Sequence, residues 1–176
     1  MIVMLTGCSP ENETMDRAMA LRSKLLLQGA EFDAQITADY GDKMYTFSVS
    51  CIVDPQGKLY FTVNEPQSIA GIEGTLSSEG GKLTFLDQAL AFPELADGQI
   101  TPVCAPWVLM NTLRSGYLTS CAKEGEGLRL SIDDSYKDDA LHLDIWLDGQ
   151  DAPVRGEILW QGRRILSMEV KNFRFV

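Results

Sequence analysis

From Thr14 to Gln28 the apolar residues Met15, Ala18, Met19, Leu25 and Leu26 recur at helical spacing, with Asp16, Arg17 and Lys24 between them. This pattern predicts an amphipathic helix. Thr14 is placed to cap its start and Gly29 to end it. After Gly29 the period drops to two. Phe32, Ala34, Ile36, Ala38 and Tyr40 alternate with polar residues as far as the turn at Gly41-Asp42, and Tyr45, Phe47, Val49 and Cys51 alternate beyond it. Asp54-Pro55-Gln56-Gly57 turns the chain again, and Leu59, Phe61 and Val63 give a third strand whose opposite face carries Tyr60, Thr62 and Asn64. Three such runs joined by short turns predict an antiparallel meander, one face packed on a core and the other in water.

The middle of the chain is less regular. Pro66 breaks the ladder, Ile69 to Leu76 predicts a strand containing Gly71 and Gly74, and Lys82 to Leu86 another after Gly80-Gly81; glycines at these places predict bending. From Cys104 to Arg114 the run around Pro106 and Trp107 suits a short helix, with proline in its first turn and Gly116 past its end. Alternation returns around 117–122, 128–132, 141–147 and 153–160, then at 164–170 and 173–176. About ten strands with two helices predict a mainly β protein with α: a large curved antiparallel sheet whose helices cover an apolar face.

With 176 residues, 45% of them hydrophobic, one domain is expected over residues 14–176. A net charge of −10 repels a polyanion over most of the surface, which argues against nucleic acid as a partner. No run of about 18 apolar residues occurs, so the sequence holds no transmembrane helix. Leu5-Thr6-Gly7-Cys8 has the form of a bacterial lipobox, in which a small residue precedes a cysteine that receives acyl chains such as palmitate. Met1-Ile2-Val3-Met4 lacks a basic stretch and sufficient apolar length for a signal peptide. Either the chain starts further upstream or the match is coincidence. Ser9 to Thr14 reads as a polar tether, so residues 1–13 are expected to be lipobox remnant and tether, with Cys8 holding the domain to a membrane outside the cytoplasm.

Three further cysteines remain. Cys104 and Cys121 flank the second helix, and a strand returning along it would let them bridge, contributing about 3 kcal/mol. Cys51 continues the alternation of Tyr45, Phe47 and Val49 and reads as a small core residue.

The order of elements, and the segments Tyr45-Thr46-Phe47, Leu59-Tyr60-Phe61 leading to Pro66 and Ile69-Ala70-Gly71-Ile72, Ala105-Pro106-Trp107-Val108-Leu109, and Arg164 to Phe173, resemble the LolA/LolB-like outer-membrane lipoprotein carriers and receptors. Relatives of that family include periplasmic stress-sensor regulators and germination-type lipoproteins of Gram-positive bacteria, to which the glycine-rich Ile69 to Gly81 stretch and the cysteines are closest in character. The resemblance covers most of the chain and implies an unclosed β-barrel with helices as a lid over an apolar interior. Met19, Leu26, Trp107, Leu109, Met110 and Leu113 would then face a groove for an apolar ligand such as an acyl chain, although core packing explains the same residues. Arg155, Arg163 and Arg164 gather positive charge near the C-terminus and are candidates for contact with an acidic envelope protein or the membrane; a charged edge strand accounts for them equally. The function expected is binding without catalysis, the alternatives being a lipoprotein or lipid carrier in outer-membrane sorting and, with less support, an envelope enzyme.

Chemistry finds few footholds. The lone histidine, His142, shares a strand face with Asp144 and Trp146, but no nucleophile elbow accompanies it. No phosphate loop, dinucleotide fingerprint, C-x-x-C or H-E-x-x-H is present, so no cofactor is expected. Asp133 to Asp139 is acidic but lacks the spacing of a calcium loop and suits a solvated hairpin.

Overall fold

The computed structural model describes the backbone of residues 10–78, 80–84 and 94–176. The first helix, α1, spans Pro10–Leu27. The meander follows as β1 (Ala30–Asp39), β2 (Met44–Val53), β3 (Leu59–Glu65), β4 (Glu73–Ser77) and β5 (Gly80–Thr84). A 3-10 turn at Pro102–Cys104 leads into α2 (Ala105–Ser115). The second half is β6 (Tyr117–Glu124), β7 (Gly127–Asp133), β8 (His142–Leu147), β9 (Pro153–Trp160) and β10 (Arg163–Phe175).

These described strands make one antiparallel sheet in the order β5-β4-β3-β2-β1-β10-β9-β8-β7-β6. Two meanders are therefore joined at their first and last strands, β1 against β10, and β5 and β6 are the outermost strands of the described sheet, which is not closed, as the resemblance implied. The period of two sets the faces. Phe32, Ala34 and Ile36 of β1, Phe47, Val49 and Cys51 of β2, and Leu143, Ile145 and Leu147 of β8 are buried on one side, while their neighbours point to the other. We call the buried side the core face and the opposite side the outer face.

Both helices lie on the core face. On α2, Leu109, Met110 and Leu113 are 1%, 1% and 0% exposed; burying each contributes roughly 1.5–3 kcal/mol. Gly156 of β9 lies directly under this helix, where an added Cβ would come within 2.7 Å of Leu109 Cδ1. Arg114 ends α2 as a clasp: its guanidinium donates to the carbonyls of Leu25 at 2.6 Å and Pro55 at 2.6 Å. It thereby satisfies a carbonyl in the last turn of α1, which has no partner within its own helix, and fixes α1 to the β2–β3 turn.

Several sequence expectations need correction. The residues of α1 that enter the core are Thr14, Ala18, Leu21 and Leu25; Met15, Met19 and Leu26, read as part of the buried stripe, are 42%, 48% and 52% exposed. Apolar residues stand on two sides of this helix, so periodicity alone does not set its rotation. The helix also starts at Pro10, so the last four residues assigned to the tether are helical, with proline at a position it favours. β4 begins at Glu73, because Pro66 to Gly71 is taken up by turns. The two expected C-terminal strands are one, β10, interrupted by a bulge at Asn172, whose φ is 55°.

Cys104 and Cys121 are separate thiols. The expected bridge fails because β6 lies against α1 instead of returning along α2. Cys121 Sγ donates to the carbonyl of Thr14 at 3.3 Å, and Cys104 Sγ meets Thr101 Oγ1 at 3.1 Å. Cys51 is buried as expected, and burial drives its thiol pKa well above the ordinary value. Cys8 and the rest of the lipobox lie outside the described residues.

Candidate functional site

The groove candidates separate into three groups. Leu109, Met110 and Leu113 are core; Met19 and Leu26 face solvent; and Trp107 is partly buried, its Nε1 donating to the carbonyl of Gly57 at 3.1 Å. Leu109, Met110 and Leu113 pack beneath α2 against the sheet, as core residues do.

The basic candidates are already partnered. Arg155 and Arg164 both bond Glu157 Oε1, the latter at 2.8 Å, while Arg163 Nη2 donates to the carbonyl of Asp39 at 2.7 Å and lies 3.4 Å from its carboxylate. Arg174 likewise pairs with Glu31. The arginines seen as a basic end in the sequence are thus paired with carboxylates, Arg155 with Glu157 of its own strand and Arg163, Arg164 and Arg174 with carboxylates of other strands. Of these pairs only Glu31 and Arg174 are direct register partners across strands, whereas Arg155 and Glu157 stand two residues apart on β9.

Register also carries polar rows across the outer face. One runs Thr46, Thr37, Ser167, Glu157, Asp144 and Ser131 from β2 to β7. Within it Thr37 and Thr46 share a hydroxyl hydrogen bond of 3.0 Å, and Ser131 Oγ donates to Asp144 Oδ1 at 2.6 Å. Arg129 Nη2 donates to the other Asp144 oxygen at 2.7 Å. Burial pushes the Asp144 carboxyl up, but the Arg129 and Ser131 hydrogen bonds together with the nearby positive charge outweigh it and hold the pKa below the ordinary 3.8. Glu157 follows the same logic: burial raises it, and hydrogen bonds from Arg164 and Arg155 bring it net below 4.5.

His142 stands beside this row. Its Nδ1 is 2.7 Å from Asp133 Oδ1 and its Nε2 is 3.7 Å from Asp144 Oδ1. The Ser131 hydroxyl is spent on Asp144, so serine, histidine and aspartate do not form the relay that nucleophilic catalysis needs. The acidic loop after β7 is occupied locally: Asp134 Oδ1 accepts from the Leu141 amide at 2.9 Å, and Asp139 from Gln99 at 3.2 Å. Among the described residues no group of three or more His, Cys, Asp or Glu is placed to hold a metal.

The described depressions open on the outer side of the sheet. The largest, about 600 Å³, lies over β10, β1 and β2 and is lined by Phe32, Asp33, Ile52, Asn172, Phe173 and Arg174, among others. It exists because of the bulge: the β1–β10 register slips between Glu31 and Asp33, opposite Asn172. Phe32 and Phe173 pack with ring centroids 6.0 Å apart. Asp33 accepts from Asn172 Nδ2 at 2.8 Å and from Ser50 Oγ at 2.7 Å, and these two bonds hold its carboxyl below the usual 3.8. A second depression of about 360 Å³ over β2, β3 and β4 shares Ser50 and Ile52 and adds Tyr60. Ile52 and Tyr60 are cross-strand partners and both substantially exposed. The surface thus combines apolar contacts, Ile52 and Tyr60 foremost, with an ordered carboxylate and amide at its margin. Its signal in the sequence is slight: Ile52 follows Ser48 and Ser50 at an outer position and so breaks the polar side of the alternation.

No family matches the sequence, and no curated protein matches it. Among solved structures the chain is similar to an uncharacterized conserved protein from Thermus thermophilus, at 14% identity over 96% of this chain and 88% of that one, with a TM-score of 0.49. It is also similar to a LolA superfamily protein from Nitrosomonas europaea, at 9% identity over 90% and 93% of the two chains, TM-score 0.47. A third likeness is to MucB in the Pseudomonas aeruginosa MucA/MucB complex, at 10% identity over 93% of this chain and TM-score 0.44; the chain spans 57% of the length of that protein. No helix among the described residues is long and apolar enough to cross a membrane.

Proposed function

We propose that this chain is a lipid-anchored extracytoplasmic protein that binds a partner protein of the cell envelope on the outer face of its sheet and catalyses no reaction. The observation that carries the reading is a contrast between the two faces. The concavity beneath α2 is occupied by Leu109, Met110 and Leu113, whereas the opposite face bears an open depression of about 600 Å³ beside exposed Ile52 and Tyr60. An exposed sheet surface that sets apolar Ile52 and Tyr60 beside hydrogen-bonding groups suits a polypeptide better than an acyl chain, which needs an enclosed apolar space. The same contrast disfavours a lipid or lipoprotein carrier. The neutralised arginines move the expected contact from Arg155, Arg163 and Arg164 toward Ile52 and Tyr60.

Anchoring rests on Leu5-Thr6-Gly7-Cys8. Expression of the gene with its upstream in-frame sequence and a fatty-acid analogue should label the protein, and Cys8→Ser should abolish the label. Label that survives Cys8→Ser would remove the anchor. Titration with a fluorescent fatty acid should show no saturable binding; saturable binding weakened by Met110→Trp would restore the carrier reading.

A further inference from the structure

We infer that the exposed flank of α1 bearing Met15, Met19 and Leu26 is a membrane-contact face, on which the domain lies against the bilayer. The inference rests on the anchoring of Cys8 proposed above and adds what that anchor does to the orientation of the domain. α1 has two apolar sides. Thr14, Ala18, Leu21 and Leu25 enter the core, while Met15, Met19 and Leu26 form a second stripe at positions i, i+4 and i+11, accompanied by Leu27 at 79% exposure. A helix that packs on only one side has no structural use for the second stripe, because exposed Met and Leu bring no stability to the fold.

The occupant follows from chain length. Pro10 is two residues from Cys8, and two residues span at most about 7 Å. An acylated Cys8 sits at the lipid–water boundary, so α1 must begin within that distance of it. Its 18 residues then cover about 27 Å. If the helix lies flat, its second stripe meets the boundary region where amphipathic helices bury their apolar side. The net charge of −10 gives no attraction to an anionic surface, so contact depends on the tether and on apolar burial.

The test uses phosphatidylcholine vesicles containing a photoactivatable phosphatidylcholine, with the full chain held in two ways: acylated at Cys8, and as Cys8→Ser with an N-terminal hexahistidine tag on a nickel-chelating lipid. After irradiation, peptide mapping should place lipid adducts on Met15, Met19 and Leu26 in both forms. The double variant Met19→Glu, Leu26→Glu should lose them while remaining tethered and folded; Met19→Gln, Leu26→Gln serves if the charged pair disturbs folding. Adducts absent from α1 in both forms, or unchanged in the variants, overturn the membrane-facing stripe. A concentration-dependent dimer abolished by the same variants, without lipid adducts, would assign the stripe to a second copy and also overturn it. Failure of Cys8 to acquire acyl label overturns the anchor alone, since the tag-held form reads the stripe independently.

Discussion

The two helices carry similar proportions of Met and Leu, yet the fold uses them in opposite ways. α2 drives Leu109, Met110 and Leu113 into the sheet so closely that a Cβ at Gly156 would meet Leu109, whereas α1 spends Ala18, Leu21 and Leu25 on the core and leaves Met15, Met19 and Leu26 exposed. An apolar helix over a curved sheet is therefore no evidence of a lid over a cavity. Whether a side chain is core or surface depends on the rotation of its helix, and on α1 that rotation is set by contacts distant in sequence: Arg17 with Asp151 at 2.6 Å and Arg22 with the Gly116 carbonyl at 2.8 Å.

The contrast can be broken by substitution. Leu113→Ala should cost about 2 to 5 kcal/mol in chemical denaturation, as for a fully packed core leucine; a cost near zero would show that α2 covers empty space. Gly156→Ala should cost roughly 1 to 3 kcal/mol by forcing Leu109 aside, and repair by a second change, Leu109→Val, would identify that contact as the cause.

Acid should act on the outer face through its hydrogen-bonded carboxylates. Asp33, Asp144 and Glu157 have folded-state pKa values below their ordinary ones. The stability they supply is present above the unfolded values, near pH 4, and is lost as pH falls through the folded values. The melting temperature should thus drop between about pH 5 and pH 3, and Asp144→Asn should make that drop shallower; an unchanged slope would remove Asp144 from the account.

Smaller effects are expected at exposed positions. Arg164→Ala should cost less than about 1 kcal/mol, because Arg155 still pairs with Glu157 and both arginines are half exposed. Met19→Ser should change stability by no more than about 0.5 kcal/mol, and a loss comparable to that of Leu113→Ala would mean that α1 is packed on both sides.

What the sequence disclosed follows from how local each signal is. The meander was legible because Phe32 to Tyr40 and Tyr45 to Cys51 alternate strictly, and that alternation is itself the structure. The pairing of β1 with β10, which joins the two halves, was not, since nothing local links Ala34 to Val170. Charge segregation near the C-terminus was visible, but its neutralisation depends in part on how β10 lies beside β9, which brings Arg164 to the Glu157 that already neighbours Arg155 within one strand. The cysteine pair failed for a related reason: the direction of β6 relative to α2 is a tertiary choice. The bulge at Asn172, which opens the largest described depression, has no sequence signal beyond an asparagine able to adopt positive φ.

The central claim, that binding occurs on the outer face and not beneath the helices, is tested most directly by photo-crosslinking in the cell that makes the protein. A photoreactive phenylalanine analogue would be placed in turn at Ile52, Tyr60 and Met110. The account predicts a discrete protein adduct from Ile52 and Tyr60, lost on Asp33→Ala in the Ile52 probe, and none from Met110. An adduct from Met110 alone, to lipid or protein, would contradict it and return the binding site to the concave side of the sheet.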